Sequence, residues 1–344
     1  RLGSLSNLSF QTKFLNEKYT EEEMNKESII FFLDLIFNPN VKDNSFINIE
    51  KQKEKLKQDI ISINDNKPKL AYLKLMEKFN DKEYSYNTFG YLDDLEEIDG
   101  NNLYDYYKEV LNNDQIDIFV LGDFSSNEIK EIFRKYFKVM TFKKNKKDLL
   151  IKELDIRKRI TRYHEYDKVN ASQVLLLLSL NNLTDFERKY TIKVLAEALG
   201  GSANSVLFSR VREEKGYCYY INASVKAYDN IMVINSGTEK DNTEKCIKLI
   251  RKIIKEIKDG KIDEEVVKSS IKTIISGIEA SFDNPISIIN TCFSRELVGT
   301  PSSEERIKAF NSITKEDIIK VSKKINMHSI LTLEEGANDE KDKD

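Results

Sequence analysis

The spacing of apolar residues along the chain predicts long helices separated by short strands. Between Thr243 and Lys258, isoleucines recur every three to four residues, which is the period of a helix with one buried face. From Val174 to Leu180 the run is almost continuously apolar, as in a buried strand. The other predicted helices cover 20–37, 46–63, 68–79, 98–110, 126–137, 184–199, 263–281 and 286–297, with one more starting at 313, and the other predicted strands cover 8–15, 116–121, 231–236 and 329–333.

The order of these elements repeats once along the chain. The matched landmarks are Pro68 with Pro285, Ile98 with Ile313 and Leu121 with Leu333, at offsets of 217, 215 and 212 residues. This period is far longer than that of solenoid repeats, so it indicates a duplicated domain. Helices come in pairs between the strands, which favours an α+β class: two homologous domains, each with a mostly antiparallel sheet and helices packed on one face.

A lysine-rich run divides the two predicted domains. Residues 143–147 read Lys-Lys-Asn-Lys-Lys, which is typical of a solvated connector. We predict a first domain at 1–142, a linker at 143–160, a second domain at 161–334 and a disordered, charged tail at 335–344. The chain begins abruptly at Arg1 without an initiator Met, so we expect the first domain to lack its first segment.

Composition narrows the class of protein. The 55 basic and 58 acidic residues give a net charge of −3, which offers no basic surface for nucleic acid or an anionic membrane. No apolar run approaches the roughly 18 residues of a membrane span. The three cysteines, Cys218, Cys246 and Cys292, are widely spaced and contain no Cys-x-x-Cys pair. We therefore predict a reduced, cytoplasmic protein.

Local motifs give no catalytic centre. The chain has two histidines, His164 and His328, and neither has a second imidazole at the spacing of a zinc-binding helix. Glycine-rich nucleotide loops and the Gly-x-Ser-x-Gly nucleophile turn are also absent from the sequence.

One stretch, Leu199 to Tyr220, has more information than its surroundings. By local chemistry it is a helix end at Gly200-Gly201, a short apolar helix and the entry to a hairpin. Its residues also resemble the second-domain signature of the pitrilysin/insulinase/mitochondrial processing peptidase family. The matching segments are Ser205-Val-Leu-Phe, Val211-Arg-Glu and Gly216-Tyr-Cys-Tyr219. The resemblance extends over almost the whole chain and implies a two-domain clamshell.

The resemblance also implies where zinc would bind in active members. Those members use a His-x-x-Glu-His helix in the first domain and a downstream Glu in a Glu-Arg-x-x-x-x-x-Glu helix. Here the second helix runs from Gln52 to Asp59, so the ligand position is Asp59 and the supporting Glu has become Gln52. The His-x-x-Glu-His segment would fall before residue 1. Truncation could account for its absence, but two changes on one helix favour a chain that has lost metal binding.

Arg212 and Tyr219 do match the family pattern, in which these groups extend across the interdomain chamber toward a peptide. A guanidinium supplies donors to a peptide carbonyl or carboxylate, and a phenol can donate to a developing oxyanion. The alternative for Arg212 is a local ion pair with Glu213 or Glu214, and for Tyr219 a place on a strand face.

These residues predict a non-catalytic subunit of a bacterial two-subunit peptidase. We expect it to pair with a catalytic, zinc-bearing paralogue, or with itself as a homodimer, and to bind peptide substrate while holding no zinc of its own. Two alternatives remain: an active zinc endopeptidase whose His-x-x-Glu-His segment is absent from this chain, and a peptide-binding scaffold without a proteolytic partner.

Overall fold

The first half of the chain is mainly helical. The structure, a computed structural model, describes residues 5–20, 23–79, 85–138 and 149–336. In chain order the elements of this half are helix α1 (Met24–Phe37), strands β1 (Val41–Lys42) and β2 (Ser45–Phe46), and helices α2 (Ile49–Ser62), α3 (Lys67–Glu77), α4 (Leu92–Glu97), α5 (Gly100–Asn113) and α6 (Ser126–Tyr136). The Asn66 side chain accepts a hydrogen bond from the Lys69 N–H at 3.1 Å and caps the start of α3. The five helices predicted in this half are confirmed.

Two strands predicted in this half are wrong. Residues 8–15 and 116–121 contain no strand, and among the described residues of this half the sheet consists of β1 paired with β2. A lone strand leaves its backbone N–H and C=O groups unpaired, so an apolar run becomes a strand only where a neighbouring strand is within reach. The side chains of Leu8, Ile118 and Leu121 are left exposed.

The second half contains the main sheet. Its elements are β3 (Thr161–Asp167), β4 (Ser172–Leu180), α7 (Ile192–Gly200), β5 (Tyr220–Lys226), β6 (Ile231–Thr238), α8 (Thr243–Lys258), α9 (Glu264–Ala280), α10 (Pro285–Val298), α11 (Ser303–Asn311), α12 (Lys315–Ser322) and β7 (Ile325–Glu335). Two π-helical segments, Glu187–Thr191 and Phe208–Glu213, stand before α7 and before β5. The predicted helices and strands of this half are confirmed, and α11 is an element that the sequence pattern did not predict.

The five strands of the second half form one sheet in the order β3-β7-β4-β6-β5. β3 runs parallel to β7, and the remaining neighbours are antiparallel. Helices α7, α8, α9 and α12 enclose a core on one face, where Leu176, Leu178 and Ile234 are buried against them. The predicted α+β class is confirmed.

The other face of this sheet is covered as well, and its cover comes from the first half of the chain. Successive strand residues point to opposite faces, and in β4 both sets are apolar, so Leu175 and Leu177 need a partner layer of their own. Helix α3 supplies that layer. The residues that pack there from α3 and the turn after it are Ala71, Leu75, Met76 and Phe79.

Three ion pairs flank the contact between α3 and the sheet. Lys74 and Lys78 contact the two carboxylate oxygens of Glu165 at 3.1 and 2.7 Å, and Lys67 contacts Asp167 at 3.0 Å. Burial raises the pKa of the Glu165 carboxyl, but hydrogen bonds and charge from the two lysines outweigh burial and leave the pKa below its ordinary value. The two halves of the sequence are thus joined by apolar and charged contacts.

The predicted linker and tail fall partly outside the described residues. Residues 149–160 of the linker contain no helix or strand, whereas 143–148 lie outside the description. β7 ends at Glu335, and the tail from 337 onward also lies outside it. Among the helices of the described residues, none is both long and apolar enough to cross a bilayer.

Candidate functional site

Gln52 and Asp59 lie on α2, at the positions that correspond to the metal helix. They are seven residues apart, so they project from nearly the same side of the helix, and both are exposed. α2 itself is fixed to the first half through Lys53, whose ammonium donates to the backbone oxygens of Ile98 at 2.7 Å and Glu96 at 3.4 Å. The helix is therefore in place, with its two diagnostic side chains facing solvent.

The residues present do not fit a zinc site. A protein zinc site needs at least three side-chain ligands within about 2.3 Å of the ion. Over the described ranges of the chain, no three His, Cys, Asp or Glu side chains come close enough together to hold a metal. His164 lies beside Thr332, with 2.9 Å between its Nδ1 and the threonine Oγ1, and His328 is buried against the Phe79 ring. Neither imidazole lies on α2.

Glycines fix the backbone of the Leu199–Tyr220 stretch. A Cβ on Gly200 would lie 2.6 Å from the backbone nitrogen of Ala223, so only glycine lets the end of α7 pack this closely on β5. Gly216 has a φ of +62°, a left-handed conformation, and its N–H donates to the Arg212 oxygen at 3.0 Å. The segment between these glycines is thereby held at both ends.

Two arginines of the π-helical segment have different surroundings. Arg210 forms an ion pair with Glu256 of α8 at 2.5 Å, which fixes the segment on the core. The Arg212 guanidinium is exposed and lies over the Phe208 ring, 4.6 Å from its centroid. The local ion pair with Glu213 or Glu214 is not formed in the described structure, so the hydrogen-bond donors of Arg212 remain available.

Tyr219 stands just ahead of β5 and is 55% exposed. Its backbone N–H donates to the Gly237 oxygen at 2.8 Å, which holds the residue on the sheet, and its hydroxyl donates to Glu239 Oε1 at 3.1 Å. This hydrogen bond to a carboxylate raises the pKa of the Tyr219 phenol above its ordinary value. The hydroxyl is therefore protonated at neutral pH and able to donate to an incoming acceptor.

Tyr220 and Gln173 were not predicted as site residues, and they connect Tyr219 to a cleft. Tyr220 donates a hydrogen bond to the Gln173 side-chain oxygen, and burial raises the pKa of the Tyr220 phenol to about 12. Gln173 in turn lines an open cleft of about 550 Å³ between the end of α2 and the start of β4. The cleft is lined by residues 62 and 65–68 from the first half and 170, 171 and 173 from the second.

The structure thus places the predicted residues at different points. Asp59 lies less than one turn from Ser62, which lines the cleft, whereas Tyr219 adjoins Tyr220, which contacts the cleft through Gln173. In the described part of the chain, no hydrogen bond or ion pair joins α2 to the Phe208–Tyr219 segment. The Tyr219-Tyr220 doublet is the sequence signal that could have identified the cleft, because alternate strand residues face opposite sides.

Comparison with known proteins gives consistent matches. A protein-family model described as "Peptidase M16 inactive domain" matches residues 97–274, just over half of the chain. The chain is 24% identical over 342 residues to "Probable inactive metalloprotease YmfF" of Bacillus subtilis (strain 168), a match that covers 96% of this chain and 79% of that protein. It is also 24% identical over 269 residues to "Uncharacterized zinc protease YmxG" of the same organism, covering 77% of this chain and 63% of that relative.

A solved structure agrees with these matches. The crystal structure of a conserved protein from Enterococcus faecalis V583 has a TM-score of 0.86 and 26% sequence identity to this chain, covering 94% of this chain and 78% of the other.

Proposed function

Because this chain belongs to the peptidase M16 family and is a non-catalytic member of it, we propose that it is the inactive subunit of a two-subunit peptidase. The resemblance to the pitrilysin/insulinase/processing peptidase family is confirmed by these matches. In the proposal, the chain pairs with a zinc-bearing paralogue, and Arg212 and Tyr219 contact a peptide that the paralogue's metal cleaves. The three free thiols support a reducing, cytoplasmic setting.

The state of α2 supports the absence of catalysis by this chain. Asp59 has a shorter side chain than the Glu that the family uses, and Gln52 cannot supply the charge of a supporting carboxylate. Both side chains face solvent. A carboxylate held this loosely, without imidazoles nearby in the described residues, provides no defined ligand geometry for zinc.

The single observation that carries the proposal is the contrast between Arg210 and Arg212. One guanidinium is used to anchor the segment on α8, while the other, two residues later, is exposed with its donors available. A charged side chain whose loop is this well fixed is suited to bind a ligand, because little conformational freedom is lost on binding. A peptide carbonyl or C-terminal carboxylate is the acceptor that a guanidinium fork fits.

The test is a reconstituted peptidase assay. The full chain is combined with the family paralogue from the same source, and cleavage of a peptide substrate is measured with wild-type chain, Arg212→Ala and Lys215→Ala. Lys215 is a neighbouring exposed cation and serves as the control for net charge. We expect Arg212→Ala to lower kcat/KM by roughly 10- to 100-fold, the value of a charge-assisted hydrogen bond. Lys215→Ala should retain wild-type cleavage.

The other two functions predict different results. Stoichiometric zinc and peptide cleavage by the full-length chain alone would establish an active peptidase, a function consistent with the printed name of the zinc-protease relative. Failure to capture any family paralogue, with a homodimer in solution and no effect of Arg212→Ala on proteolysis, would establish a peptide-binding scaffold.

A further inference from the structure

Two of the three cysteines share one buried site beside Tyr219. Cys218 directly precedes Tyr219 and is 8% exposed, and Cys246 lies in the first turns of α8 and is 0% exposed. They are 28 residues apart in sequence but lie within hydrogen-bonding contact of each other. The Ser236 hydroxyl oxygen is 3.7 Å from the Cys246 sulfur and hydrogen-bonds to both thiols.

The surroundings make the two thiols unequal. The pKa of Cys218 is lowered to about 7 because Cys246 and Ser236 donate hydrogen bonds to its sulfur and the charge of Arg212 lies nearby, which together outweigh burial. The pKa of Cys246 is raised by that same hydrogen bond and by burial. Cys218 is therefore the nucleophilic sulfur and the one with some access to solvent, and Cys246 keeps its proton.

We propose that Cys218 and Cys246 are an oxidation site, a dithiol that forms a reversible disulfide when the folded protein meets hydrogen peroxide. The Cys218 thiolate attacks one peroxide oxygen, the O–O bond breaks, and hydroxide leaves, which takes a proton to become water. The product is a sulfenic acid on Cys218. The Cys246 sulfur then attacks the Cys218 sulfur, the S–O bond breaks, and hydroxide leaves with the Cys246 proton as a second water. Two protein thiols are oxidised and one peroxide is reduced.

This disulfide would act on the residues that precede β5. A disulfide requires the two sulfurs to approach to about 2.05 Å, closer than their hydrogen-bonded contact. Cys246 lies on a helix with a fully buried apolar face, whereas Cys218 lies in the short segment between Gly216 and β5. The movement falls on Cys218 and so on its neighbour Tyr219. Oxidation also removes the thiolate that faces Arg212.

The experiment needs the wild-type chain alone. Folded protein is treated with hydrogen peroxide and digested without reduction, and the peptides are identified by mass spectrometry. We expect a peptide pair that links Cys218 to Cys246, an intact mass lower by two hydrogens, and full reversal by dithiothreitol. Cys292, which has no neighbouring thiol among the described residues, is the internal control and should not enter a disulfide within the chain.

A second measurement defines the order of attack. In Cys246→Ser the sulfenic acid on Cys218 has no resolving thiol, so dimedone should label Cys218 in that variant and label it far less in wild type. The proposal is overturned if folded wild type gives no linked peptide, or if the link forms only after denaturation. It is also overturned if dimedone labels Cys218 equally in both proteins. These outcomes are independent of any partner subunit.

Discussion

Helix α3 offers a direct test of how the two halves are held together. Leu75 is 0% exposed and packs against the second face of the sheet with Met76. Replacing a fully buried leucine with alanine removes its transfer free energy and leaves a cavity, so Leu75→Ala should lower the free energy of unfolding by about 3 kcal/mol. The ion pairs of Glu165 with Lys74 and Lys78 are partly exposed and contribute only about 0.2–1 kcal/mol each. Apolar packing therefore dominates the contact.

The assay is urea unfolding followed by circular dichroism, with hydrogen exchange measured across α3 and β4. For a cooperative unit of this size, about 3 kcal/mol corresponds to a melting temperature lower by roughly 6–12 °C. Leu35→Ala is the matched control, since it makes the same chemical change on α1 at a side chain that is 58% exposed. Its free energy of unfolding should change by less than about 0.5 kcal/mol.

Equal stability losses in the two variants would refute the packing of α3 on the sheet. The same conclusion would follow if Leu75→Ala left exchange in β4 unchanged, because Leu175 and Leu177 lose their cover when α3 separates from the sheet. A loss confined to faster exchange, without a lower unfolding midpoint, would show that α3 detaches on its own and that the two halves unfold separately.

Two further predictions concern single positions. Gly200→Ala should lower the free energy of unfolding by about 1–3 kcal/mol, because the new Cβ would meet the Ala223 nitrogen at 2.6 Å, whereas Gly277→Ala, with open space in the interior of α9, should raise it by about 0.5–1 kcal/mol; thermal melts compare the two. Burial lowers the pKa of His328 to about 4, so the unfolded chain binds a proton between about pH 6.5 and 4 that the folded chain refuses, and stability falls on acidification. His328→Leu should reduce the stability loss between pH 7 and pH 5 by about 1 kcal/mol in urea titrations, and an unchanged loss would contradict this.

Elements with strong internal periodicity could be predicted from the sequence alone. Helix α8 begins and ends where its isoleucine spacing predicts, and Ile247, Ile250 and Ile257 are all buried. The segment 116–121 has the composition of a strand and forms none, because a strand depends on a neighbour that composition does not reveal. Nor could the apolar residues of α3 identify which surface they cover, since periodicity specifies a buried face and not its partner.

The candidate site was predictable only in part, for a similar reason. The family signature identified Arg212 and Tyr219, and both lie exposed near the start of β5. It could not identify Glu239, which accepts the Tyr219 hydrogen bond, because their contact depends on the turn that follows β6. The proximity of Cys218 and Cys246 was equally hidden, since it arises only when α8 packs beneath the sheet. Widely spaced cysteines in the sequence gave no sign of a pair.

The duplication inferred from landmarks has a counterpart in the packing. In the second half, Met76 of α3 packs in one cluster with Leu331 of β7. Phe293 of α10 follows Met76 by 217 residues, and Leu331 follows Phe119 by 212, the offsets of the sequence landmarks. The Phe119 and Phe293 rings are in contact, with centroids 6.0 Å apart. Each half therefore places one helix on the other half. A cavity made in α3 would then weaken a sheet on the far side of the predicted linker, because the packing crosses the boundary that the sequence draws.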